Sequence, residues 1–151
     1  MKLSSPQFTE GVQWRKLTAA ERNGKPWKYE LLHDITVRFS EDICMGRYHL
    51  YDGDGNQWGI IKPTEITVRR FYQWNGSSCS PDLKGVLLAS VVHDLLYQFS
   101  GTYPFPLLRS FCDRVFYDLS TTKLRCLYLL GLTVGGWTCW GKQATGLRIT
   151  T

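Results

Sequence analysis

The most constraining feature of this chain is a polar pair set in its most apolar helix-length stretch. From Asp82 to Gln98 the residues Val86, Leu87, Ala89, Val91, Val92, Leu95 and Leu96 recur at helical spacing, and His93-Asp94 interrupts them. Burying an imidazole beside a carboxylate is costly unless both find partners. A fold that accepts this helix must therefore supply them. His93 and Tyr97 are four apart and share a helix face, and Asp94 and Tyr97 are three apart. Ser80 or Asp82 is a candidate cap for the helix start.

The next segment offers the partner. Leu107 to Leu119 reads as a second helix, with Leu108, Phe111, Cys112, Val115, Phe116 and Leu119 on its apolar stripe. Asp113 breaks that stripe, and Arg109 stands one turn before it. The short loop Ser100 to Pro106 makes the two helices antiparallel neighbours, so Asp113 can meet His93. His93 is then a candidate base, Asp113 its orienting carboxylate, Tyr97 a hydroxyl and Asp94 a spare carboxylate. Such a set suits water activation with a metal alongside. The same set also suits a satisfied polar network that does no more than fix helix packing. Upstream, Asn75-Gly76-Ser77-Ser78-Cys79-Ser80-Pro81 is a small-residue loop that can bend close to a cation and offer carbonyl oxygens, or can serve as a plain strand-to-helix connection.

The remainder sets the fold class. Residues 1–26 read as an arm or lead-in strand closed by the turn Asn23-Gly24-Lys25-Pro26. Strand patterns follow in Trp27 to Phe39, Arg47 to Asp52, Gln57 to Lys62 and Glu65 to Trp74, giving a small antiparallel sheet of three or four strands. A third helix, Lys123 to about Trp137, is apolar almost all round and is expected to be buried. Strands followed by helices predict an α+β domain over residues 27–140, with a three-helix core and a polar tail at 141–151. The length of 151 residues suits one such domain.

Several functions are disfavoured. Asp52-Gly53-Asp54-Gly55-Asn56 starts like a calcium loop, but Gln57 and Pro63 stand where glycine and glutamate are needed, so it reads as a turn. The net charge of +5 comes without any nucleic-acid recognition pattern. Five cysteines, with no C-x-x-C pair and no zinc spacing, read as small buried hydrophobes in a reducing compartment. Met1 to Pro6 lacks a signal peptide's apolar run, so the expected site of synthesis and folding is a cytoplasm. Leu124 to Trp140 carries one charge, Arg125, and sits at the lower limit of the ~17–25 residues a bilayer span needs. It reads as a buried helix, with an interfacial surface as the alternative, since Trp137 and Trp140 are three apart.

Two resemblances attach to these motifs. The Asn75 to Pro81 loop, the His93-Asp94-x-x-Tyr97 helix and the Arg109-x-x-x-Asp113-x-x-Phe116 helix together resemble a small family of phage and prophage proteins of unknown function. More distantly, the helix pair is similar to that of secreted phospholipases A2, especially the compact prokaryotic type. That resemblance implies a phospholipase A2-like antiparallel helix pair, with His93 activating water, Asp113 orienting it and Tyr97 supporting Asp113. It also implies Asp94 binding Ca²⁺ together with the loop at Asn75 and Gly76, with Arg109 as a support. Asn75 is neutral where a loop carboxylate would stand, and the cysteine that precedes the family's His-Asp is missing.

The implied function is calcium-assisted hydrolysis of a lipid ester by a phage-encoded protein made in the host cytoplasm. The alternative is a structural or assembly component of a phage particle, whose partners are other virion proteins or further copies of itself. Membrane lipid is a further expected partner, and specific nucleic acid is not. A metal-dependent phosphohydrolase using His33 or His49 with His93, Asp94 and Asp113 is a third reading, weakened because both extra histidines lie in strand-like sequence.

Overall fold

The computed structural model describes residues 6–8, 11–76, 84–135, 140–141 and 146–151. The chain is α+β. Nine strands are described: β1 (Gln7–Phe8), β2 (Trp14–Lys16), β3 (Tyr29–Leu31), β4 (Ile35–Arg38), β5 (Tyr48–Tyr51), β6 (Gln57–Lys62), β7 (Glu65–Val68), β8 (Gln73–Trp74) and β9 (Arg148–Thr150). A one-turn helix, α1 (Ala19–Arg22), lies between β2 and β3, and α2 (Lys84–Phe99), α3 (Arg109–Leu119) and α4 (Arg125–Gly135) follow β8.

The strands form two antiparallel sheets: one of six in the order β1-β4-β7-β6-β5-β9, the other of three in the order β2-β3-β8. The sheet is thus larger than the three or four strands expected. Two stretches that read as single strands each divide between the sheets. Trp27 to Phe39 bends at Leu32 and His33 to give β3 and then β4. Glu65 to Trp74 breaks at Phe71, whose φ of 72° leaves the extended region, to give β7 and then β8. Phe71 donates its N–H to the Leu31 carbonyl, and Leu31 donates to the Tyr72 carbonyl. Hydrophobic alternation continues through such corners, so it does not reveal them.

The termini also join the sheet. β1 pairs with β4, and β9 pairs with β5 as Leu50↔Ile149. Part of the expected polar tail is therefore an edge strand. Ile149 is buried between exposed neighbours, a period-two signal too short to read unaided.

α2 lies at the centre. Its Val86, Leu87, Ala89, Val91, Val92, Leu95, Leu96 and Phe99 are buried together with Ile35, Val37, Leu50, Ile61, Ile66 and Val68 of the large sheet. Gly59 in β6 permits the close approach, because a Cβ there would stand 2.7 Å from Leu95 Cδ2. α3 packs against α2, and α4 packs against α3. The layering corrects one expectation: α4 forms where its pattern placed it, but none of its residues is buried. Among the described residues no helix is long and apolar enough to cross a membrane. The cysteines differ as well, since Cys112 is buried, Cys44 is half-buried and Cys126 is exposed.

Candidate functional site

The antiparallel course of α2 and α3 brings the site together. Thr121, just past α3, donates its N–H to the Gly85 carbonyl at the start of α2. Any side chain at Gly85 would collide with Thr121 Oγ1, so glycine lets the two helix ends close. Further along, His93 and Tyr97 of α2 face Asp113 of α3.

Asp113 Oδ1 accepts two hydrogen bonds, one from the Tyr97 hydroxyl at 2.5 Å and one from His93 Nε2 at 3.1 Å. Asp113 and His93 are both buried. With a carboxylate oxygen as acceptor, His93 donates from Nε2, so the neutral imidazole keeps its lone pair on Nδ1. Nδ1 points to the other side, where Asp94 Oδ1 stands 3.8 Å away. The Tyr97 ring lies 4.1 Å from the imidazole, and the Phe116 ring meets it edge-on at 5.2 Å.

Electrostatics follow from this packing. Burial opposes the imidazolium, but the hydrogen bond to Asp113 and the nearby Asp94 outweigh it, so the His93 pKa is raised. Burial and the bond to Asp113 push the Tyr97 phenol far above its usual range, so it stays a donor. Arg109 opens α3, and its Nη1 is buried without a hydrogen-bond partner. Tyr72 of the strand corner has a fully buried hydroxyl with no partner, and its pKa is raised by burial and by the charge of Asp94. Trp74 Nε1 donates to Ser90 Oγ, which donates to the Leu87 carbonyl, tying β8 to α2.

His93, Tyr97 and Asp113 thus converge, with Asp94 on the far side of the imidazole. Asn75 and Gly76 lie directly after β8, but residues 77–83, which hold the rest of the loop and both candidate helix caps, are outside the described residues. Asp94 is one carboxylate. Among the described residues no group of three or more His, Cys, Asp or Glu is placed to hold a metal ion. A calcium site here would need carbonyl oxygens from the segment after Gly76 to complete it. The other histidines are engaged elsewhere: His33 Nε2 bonds Gln13 Oε1 and His49 Nδ1 bonds Gln57 Nε2. Asp52 accepts from the backbone of Asp54 and Asn56, which makes its loop a self-contained turn.

Sequence reasoning missed the roof of the site. Trp140 packs edge-on against Tyr97 at 5.1 Å and against Phe105 at 5.8 Å. Gly141 donates its N–H to Ser100 Oγ at 2.9 Å and holds the turn in place. The contact spans some forty positions of sequence, and no local pattern encodes it.

No family model, no curated protein and no solved structure matches this chain.

Proposed function

We propose that this protein hydrolyses an ester, with a phospholipid-type ester as the substrate class, using His93 as the base. The observation that carries the reading is the shared acceptor: one buried carboxylate oxygen, Asp113 Oδ1, holds both His93 Nε2 and the Tyr97 hydroxyl. That arrangement fixes the tautomer and leaves Nδ1 to take a proton from water. Arg109 Nη1 is buried without a partner and would be satisfied by an anionic substrate group brought against it. Asp94, with the loop that begins at Asn75 and Gly76, is the proposed seat of Ca²⁺, which would polarise the ester carbonyl. Phage origin belongs to the same proposal and rests on the resemblance of the loop and the two helices.

The test is release of fatty acid from phospholipid vesicles. Wild type should be active, and activity should climb with pH as the raised His93 pKa is passed. His93→Gln should abolish activity without unfolding the chain. Millimolar Ca²⁺ should raise the thermal midpoint by mass action, and Asp94→Asn should remove that shift. Activity unchanged in His93→Gln would refute the assignment.

The closed surroundings of the imidazole favour a second reading. His93 is only 5% exposed, and Trp140 covers the neighbouring Tyr97. In that reading the triad only clamps α2 to α3 in a non-catalytic component of a phage particle. It calls for the protein at fixed copy number in purified virions, and for wild-type stability to depend on Asp113 without any turnover.

A further inference from the structure

α4 presents its apolar residues to solvent. Leu127 is 65% exposed, Leu130 60% and Val134 66%, and Leu124 just before the helix is also exposed. The spacing of three and four puts the helix residues on one side. Tyr128 and Leu132, on the other, pack toward the core, with Tyr128 against Phe116. Lys123 and Arg125 are exposed at the N-terminal end. Between Thr121 and Gly135 the chain has these two basic residues and no acidic one.

We infer that the outer face of α4 docks on an anionic lipid surface. Area and charge select this occupant over a second copy. An 11-residue helix is about 16 Å long and ~10 Å wide, so its face offers on the order of a few hundred Å², below the ~800 Å² per partner of a stable interface. A second copy would also offer Lys123 and Arg125 no acidic partner, since α4 carries none. A bilayer needs no complementary shape, takes leucine and valine into its acyl boundary, and attracts the lysine and arginine at the helix end through its headgroups. The helix lies flat on the surface and does not span it. Docking is independent of the hydrolytic reading, since no residue of the His93 network takes part.

The test is co-sedimentation of the full chain with phosphatidylcholine vesicles, with and without phosphatidylglycerol. Binding is expected only to the anionic vesicles and should weaken as salt is raised. Each basic residue near such a surface contributes about fivefold, so Lys123→Gln with Arg125→Gln should weaken binding about 25-fold. Leu127→Glu with Leu130→Glu, both at exposed positions, should abolish binding while leaving the circular dichroism spectrum unchanged. His93→Gln should bind as wild type does, which separates docking from turnover. Equal binding to neutral vesicles, or no binding to either, overturns the inference. A dimer by light scattering that the Leu127/Leu130 variant dissolves, without vesicle binding, also overturns it and assigns the face to a second copy.

Discussion

Replacing Asp113 with asparagine keeps its shape and its Oδ1 acceptor but removes the charge on which the site converges. In wild type that oxygen takes two charge-assisted hydrogen bonds, from Tyr97 and His93, in a buried setting. Such bonds contribute ~1.5–3 kcal/mol each and are roughly twice as strong as neutral ones. Halving two of them costs about 1.5–3 kcal/mol. In a chain of this size that lowers the thermal midpoint by roughly 3–12 °C. The pH dependence is more diagnostic. The folded pKa of His93 lies above its usual value, near 6.5. Its contribution to stability is therefore complete below about pH 6.5 and is lost as pH rises through the folded pKa. In Asp113→Asn the main contribution raising that pKa is gone and Asp94 alone opposes burial, so the decline should flatten. Urea unfolding of both proteins from pH 6 to 9 measures this directly. Parallel stability curves, or a loss below ~0.5 kcal/mol, would refute the claim that Asp113 holds a charged or proton-sharing imidazole.

Other consequences are simpler to check. Gly59→Ala should destabilise by about 1–3 kcal/mol through overpacking, because the new Cβ meets Leu95 Cδ2 at 2.7 Å and the Thr67 carbonyl oxygen at 3.1 Å; denaturant midpoints report it, and an unchanged midpoint would mean that α2 sits further from the sheet. Thiol labelling of the native protein at pH 8, read by peptide mapping, should modify exposed Cys126 readily. Cys112 should stay unmodified until unfolding, since burial and then the charge of Asp113 push its pKa up.

Local pattern carried a good deal of this protein. The periodic segments 84–99, 109–119 and 125–135 are helices, the alternating runs are strands, and the cost of burying His93-Asp94 demanded a partner that a short loop could bring only from the next helix. His93, Tyr97 and Asp113 were legible for that reason, because each is a polar residue in an apolar stripe at a spacing set by helix geometry. What the pattern could not carry is which surface faces which. α2 and α4 are similarly apolar, yet α2 is enclosed by sheet and helix while α4 is the outermost layer, and only packing order separates them. The strand corners at Leu32–His33 and Phe71, the pairing of Ile149 with Leu50 and the placement of Trp140 on Tyr97 were decided the same way. Each joins residues distant in sequence or turns the chain without interrupting its hydrophobic rhythm. Periodicity reports how a segment meets its immediate surroundings, and it holds no record of what those surroundings are.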